Sequence, residues 1–244
     1  MIILVLNCGS SSIKYQVLDL RCNKHELLAK GLVERIGMAE GDLTHKPAGK
    51  TPFEQHLPIA DHTGIRLVLD ALTDSGHGVI ASLDELSAVG HRVAHGGEYF
   101  ADSCIVDEQV KHRIEELFAI APLHNPANMQ GILSIGSVLP GIPQVAVFDT
   151  SFHHTIPAVN YMYAIPYEYY ERYRVRKYGF HGTSHKYVAA KGAELAGLDL
   201  ASSRIITCHI GNGASVTAVE NGRSVDTSMG FSPLDGLMMG TRSG

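Results

Sequence analysis

The chain has 244 residues, 45% hydrophobic and 18% charged, which excludes a disordered class and leaves room for one large domain or two of moderate size. A formal charge of −5 without a dense Lys/Arg stripe argues against a nucleic-acid backbone as partner; the nearest approach, Arg172 to Lys177, is interleaved with Tyr and Val. Cys8, Cys22, Cys104 and Cys208 lie far apart with no C-x-x-C pair, so reduced cytosolic thiols are expected rather than a zinc knuckle or redox motif.

In chain order, Met1 to Leu6 is apolar but short and lacks a basic n-region, so it reads as a buried strand, not a signal peptide. No apolar run approaches the roughly 20 residues of a membrane span. Ile2 to Leu6 and Ile13 to Leu18 flank Asn7-Cys-Gly-Ser-Ser-Ser12, a hairpin whose glycine suits positive φ and whose turn offers N–H and side-chain donors to phosphate oxygens. Leu27 to Ile36 reads as a further strand, and Met38 to Pro58 as loops and short edge strands. Apolar residues at 65, 68, 69 and 72 predict a helix over Thr63 to Leu72.

A strand then runs through Gly90-His-Arg-Val-Ala-His-Gly-Gly97 into a glycine turn. Helices are predicted at Asp107 to Phe118, with Asp107 as N-cap, and at Ala127 to Val138, followed by a strand at Gln144 to Phe148. This alternation indicates an α/β domain in which ligands sit beyond strand ends, where Arg92 and Asp149 fall. A boundary is expected near Ser151, because Phe152 to Tyr173 breaks into tyrosines and prolines before a helix at Ser184 to Leu195. Ile205 to Ile210 and Val216 to Val219 then flank a second loop, Gly211-Asn-Gly-Ala-Ser215. Two such loops suggest a duplicated fold gripping one nucleotide, although plain tight turns account for the glycines alone.

Seven segments in order carry a resemblance: Asn7-Cys-Gly-Ser-Ser-Ser-Ile-Lys14, Gly90 to Gly97, His124-Asn-Pro-Ala-Asn128, Val147-Phe-Asp-Thr150, Tyr178-Gly-Phe-His-Gly-Thr-Ser-His185, His209-Ile-Gly-Asn-Gly-Ala-Ser215, and Asp226-Thr-Ser-Met-Gly through Gly240-Thr-Arg-Ser-Gly244. Together they closely resemble the acetate kinase family. The resemblance implies an actin-like α/β fold of two duplicated domains, the first over residues 1–150 and the second begun over 151–244 and truncated. It implies reversible phosphoryl transfer from ATP to acetate with Mg²⁺, by a cytosolic homodimer, with small carboxylates and ATP/ADP as partners and neither nucleic acid nor membrane. A propionate kinase of the same family is the alternative, and a fragment kept as a binding or assembly module is another. An actin-like ATPase or sugar kinase explains neither Arg92 with its His-Gly-Gly turn nor the segment around His181.

A carboxylate is already ionised at neutral pH, so its phosphorylation needs alignment and charge neutralisation rather than a strong base. By resemblance, Arg92 binds the substrate carboxylate, Arg242 stabilises the transition state, His181 donates to the moving phosphoryl group and Asp149 is the catalytic carboxylate. From the residues alone, Arg92 also reads as a structural ion pair, Asp149 as a turn cap and Arg242 as a surface arginine. Ser10, Ser12 and Lys14 map onto the first phosphate loop and His209, Ile210, Gly211, Asn212 and Gly213 onto the second; Asn7 maps onto the magnesium position, through water. The P-loop pattern G-x-x-x-x-G-K-[ST] is absent. The i, i+4 pairs His91/His95 and His181/His185 could suggest zinc, but glycine inside the second and the strand setting of the first argue against it.

Ala94, Leu123, Phe180 and Pro233 map onto the apolar pocket around the substrate methyl. Many acetate kinases have valine at the position of Ala94, and a methylene in such a pocket is worth about 1–3 kcal/mol. Acetate first with propionate tolerated is therefore expected. The family's adenosine-binding loop and acidic magnesium ligand are not found in the 244 residues, so little or no kinase activity is expected of them alone.

Overall fold

The computed structural model describes residues 1–21, 25–60 and 63–244, so Cys22 lies outside the described residues. The chain forms two compact units: Met1–Val93 with Cys104–Val147, and Ala94–Ser103 with Phe148–Gly244. These units do not follow chain order: Ala94–Ser103 and Phe148–Thr150 pack with the second unit.

In the first unit, β1 (Ile2–Cys8), β2 (Ser12–Asp19), β3 (Glu26–Glu34), β4 (Gly41–Pro47) and β5 (Phe53–Leu57) form an antiparallel meander. β6 (Leu86–Val93) adds parallel to β1, and β7 (Cys104–Ile105) and β8 (Gln144–Phe148) complete an eight-stranded sheet in the order β5-β4-β3-β2-β1-β6-β8-β7. Strict alternation makes one face of β1 and β2 apolar, burying Leu4, Leu6, Tyr15 and Val17. Against it pack α1 (Gly64–Thr73), through Ile65, Val68, Leu69 and Leu72, and α3 (Asn125–Val138), through Ile135. Between them in sequence lies α2 (Glu108–Glu116), where Asp107 accepts from the Val110 N–H as the expected cap. The stretch 38–58, expected as loops and short edge strands, instead supplies β4 and β5; β4 is interior to the sheet and only β5 is an edge.

α3 also fixes the end of β1. A Cβ at Gly131 would come within about 2.5 Å of the Cys8 Sγ, so glycine allows the close approach, and the Asn128 side chain donates to the Cys8 carbonyl at 2.6 Å.

The second unit contains two short helices, α4 (Ala158–Tyr161) and α5 (Glu168–Tyr173), then α6 (Gly182–Ala196) and a three-stranded antiparallel sheet. Its strands are β9 (Arg204–Ile210), β10 (Ala214–Glu220) and β11 (Arg223–Thr227), in the order β11-β10-β9. β10 and β11 join through Asn221-Gly222, both at positive φ (54° and 75°), the backbone a tight hairpin needs. Ala94–Ser103 is tied in by polar and aromatic contacts. Gly96 N–H donates to Thr150 Oγ1 at 2.9 Å, Phe100 stacks on Phe148 at 4.1 Å, and Glu98 accepts from the buried Arg176 at 2.8 Å. Arg176 in turn lies 3.6 Å from the centroid of the Tyr161 ring. No helix among the described residues is long and apolar enough to cross a membrane.

Candidate active site

The first unit carries Asn7, Ser10, Ser12, Lys14, Arg92 and Leu123 of the expected site. Asn7 and Arg92 come from the parallel neighbours β1 and β6, near their carboxyl ends, and they touch: Arg92 Nη1 donates to Asn7 Oδ1 at 3.1 Å. The turn between β1 and β2 is closed by Gly9 N–H donating to Ser12 O at 2.7 Å, leaving Ser10 exposed and Lys14 exposed on β2 beside Asn7. A pocket of about 430 Å³ on this sheet face is lined by Asn7, Lys14, Lys30, Thr44 and Lys46, among others. Lys30 and Lys46 stand directly opposite each other on β3 and β4, so the pocket wall is strongly positive. Leu123, expected in the apolar pocket, is 78% exposed.

As a magnesium ligand Asn7 offers one neutral oxygen that already accepts from Arg92, and no group of three His, Cys, Asp or Glu side chains suited to a metal exists among the described residues. That donor set fits a hydrated Mg²⁺ held chiefly by phosphate oxygens and reached through water, not a cage made by the protein.

The second unit brings together most of its expected residues. Gly179 (φ 73°) and His181 (φ 59°) both take left-handed backbone, swinging the chain into α6. Gly179 has no alternative, since a Cβ there would lie about 2.5 Å from Thr227 and 2.8 Å from His153. The first helical N–H, of Gly182, donates to the Asp149 carbonyl at 2.8 Å, which joins buried Asp149 to the start of α6. The His181 ring stacks on His209 with centroids 4.0 Å apart, and its Nδ1 lies 2.8 Å from the Ser215 hydroxyl. His209 Nδ1 lies 3.0 Å from Ser184 Oγ.

The second loop closes onto the same place. Gly211 N–H donates to Gly213 O at 3.0 Å, and Thr241 donates to Asn212 O at 3.2 Å. A Cβ added at Gly213 would lie 3.2 Å from both His181 Nε2 and Arg242 Nη2. Arg242 is aimed by its Nε donating to Pro233 O at 2.8 Å. Glycine in these loops is expected to supply positive φ; Gly9, Gly211 and Gly213 all lie outside the left-handed region, and at Gly213 the absence of a Cβ instead relieves crowding by His181 and Arg242. Of the expected apolar pocket, Phe180 is buried with Ala214, Met229 and Met239, while Ala94 is buried beside His95, whose ring packs edge-on to Phe180 at 5.6 Å. Ile210 is 72% exposed.

Ser215, His185 and Thr207 belong to this cluster without having been singled out for it. Burial, followed by the neighbouring histidines 153, 181 and 209, lowers the His185 pKa to about 3 against the opposing pull of Asp149. Burial likewise lowers that of His153 to about 4, although its ring bonds the Phe180 carbonyl. The spacing of His181 and His185 is the available signal: the two rings are hydrogen-bonded to one serine.

The sequence model of the acetokinase family matches residues 2–244. The chain belongs to that family. It is 56% identical over 243 residues to the acetate kinase of Caldanaerobacter subterraneus subsp. tengcongensis, covering 99% of this chain and 60% of that protein. The crystal structure of Porphyromonas gingivalis acetate kinase superposes with a TM-score of 0.94 at 46% identity, over 100% of this chain and 61% of that one. A propionate kinase from Francisella tularensis subsp. tularensis SCHU S4 superposes at 0.92 and 43% identity, again over 100% and 61%. The expected fold class, the actin-like α/β class of acetokinases, holds over the whole chain. The chain spans 60–61% of the length of these relatives.

Proposed function

We propose that the protein carrying this chain transfers the γ-phosphoryl group of ATP to acetate, reversibly, giving acetyl phosphate and ADP. The convergence of His181 Nε2 and Arg242 Nη2 on Gly213 carries this reading, because it gathers a ring nitrogen and a cation where a phosphate loop passes. A carboxylate oxygen attacks the γ-phosphorus, the bond to the β,γ-bridging oxygen breaks, and the electron pair leaves on ADP; no proton has to move. In this reading Arg92 holds the substrate carboxylate, oriented by Asn7, while Ser10, Ser12, Lys14 and the lysine-lined pocket attract phosphate. The second loop, His209 to Gly213, is likewise assigned to phosphate oxygens. His181 donates to an equatorial oxygen, Arg242 balances the developing charge, and the Asp149 carboxylate is the catalytic carboxylate, acting through magnesium or substrate positioning. Mg²⁺ bound beside Asn7 would neutralise phosphate charge.

Ala94, Leu123, Phe180 and Pro233 are assigned to the substrate methyl, with acetate preferred and propionate tolerated. Residues 1–150 and 151–244 correspond to the first and second actin-like domains, and the working form is a cytosolic homodimer.

A coupled ADP-release assay tests the roles. Arg242→Ala is expected to lower kcat about a thousandfold, while Arg92→Ala chiefly raises the KM for acetate, about tenfold or more. Acetate should exceed propionate in kcat/KM. Full activity in Arg242→Ala, or a propionate kcat/KM about tenfold above that of acetate, would overturn the assignment.

A further inference from the structure

Ser215 Oγ is fully buried between two imidazoles, 2.8 Å from His181 Nδ1 and 2.8 Å from His185 Nε2. The far side of His185 meets a second buried hydroxyl, Thr207 Oγ1, 2.7 Å from Nδ1. The elements that align these groups are α6, which carries His181 at its cap and His185 one turn on, and the β9–β10 pair, which carries Thr207 and Ser215. We propose that this chain of hydrogen bonds runs in one direction, Thr207 to His185 to Ser215 to His181, and fixes His181 with its proton on Nε2, making Thr207, His185 and Ser215 positioning residues for the phosphoryl donor.

Counting protons gives the direction. A serine or threonine hydroxyl donates once, and a neutral imidazole donates from one nitrogen and accepts at the other. If Thr207 donates to His185 Nδ1, His185 donates from Nε2 to Ser215, Ser215 donates to His181 Nδ1, and the His181 proton stands on Nε2. The three protons inside the chain then each sit in a contact of 2.7 or 2.8 Å, and the fourth, on Nε2, belongs to the half-buried His181 ring and not to a fully buried group. In the reverse order His181 donates from Nδ1, and the last proton, on Thr207, is left with the Thr217 carbonyl at 3.5 Å as its acceptor. A buried hydroxyl proton with so long a contact costs about 1–3 kcal/mol, enough to set the order. The forward order puts an N–H on the side of His181 that faces Gly213 and Arg242; the reverse order would put a lone pair there, toward phosphoryl oxygens. This positioning role rests on the proposed role of His181, whereas the tautomer itself does not.

The test combines histidine-selective nitrogen NMR of the chain, at a mildly alkaline pH where imidazoles are neutral, with kinetics of the protein carrying it. The wild-type His181 signal is expected to show the Nε2–H tautomer. Thr207→Val, which keeps shape but removes the hydroxyl that sets the order, should give mixed tautomers and lower kcat about twofold or more with little change in KM. Thr207→Ser should restore both. Ser215→Ala, a second break in the chain, should give mixed tautomers. An Nδ1–H tautomer in the wild type, or a tautomer unmoved by Thr207→Val and Ser215→Ala, would overturn the directional chain. A shifted tautomer with unchanged kcat would instead overturn the donor role of His181 and the positioning role with it.

Discussion

Gly213 shows how one missing side chain shapes the second unit. Its bare Cα lets the loop pass 3.2 Å, measured at the Cβ position, from the His181 ring and the Arg242 guanidinium. Two such groups cannot both yield without moving, so Gly213→Ala should act on placement more than on folding. The expected result is a kcat lowered about tenfold or more, as small misplacements of reacting groups cost that much, with a thermal midpoint near that of the wild type. A normal kcat would show that the contact has slack. The identity of these residues was legible in the sequence, because Gly-Asn-Gly and His-Gly-Thr-Ser-His are local motifs. The reason for the glycine was not, since close approach depends on Arg242, 29 positions away, and no local pattern encodes that. The same holds for Ser215 and Thr207, whose partners are set by the register that places Ser215 opposite His209 and Thr207 opposite Thr217.

At the scale of elements, alternation and capping carried far. β1 and β2 follow their apolar alternation, and α2 starts at the cap read from Asp107. β4 escaped because its inward residues are Gly41, Leu43, His45 and Pro47, a set with one aliphatic member. His45 can be buried only because its two nitrogens are satisfied: Tyr15 OH donates to Nδ1 at 2.7 Å, and Nε2–H donates to the His77 carbonyl at 3.2 Å. Burial keeps the imidazole below its ordinary pKa, consistent with this neutral pairing. Tyr15→Phe leaves the rings packed but orphans the His45 nitrogen, and it should cost about 1–3 kcal/mol in urea unfolding; unchanged stability would mean the pair contributes nothing. β11 was overlooked although Asn221-Gly222 is a strong hairpin signal, because Arg223 to Thr227 is too polar to stand out as a strand.

For the whole molecule, chain order is not packing order. Ala94–Ser103 leaves the first unit directly after Arg92 and Val93 and packs with Phe148–Gly244, held by Glu98 against Arg176 and by Phe100 against Phe148. Such a return is invisible to composition, since it is written in single pairs separated by about fifty to eighty positions. What was legible at this scale was the ordered set of motifs, and it led to the family that the sequence and structural matches establish. The central claim is that these motifs serve phosphoryl transfer to a carboxylate. Phosphorus NMR of ATP and acetate with the protein carrying this chain tests it most directly. The account predicts an acetyl phosphate resonance growing in step with ADP and dependent on acetate. ATP left intact, or broken down to inorganic phosphate without acetyl phosphate, would contradict it.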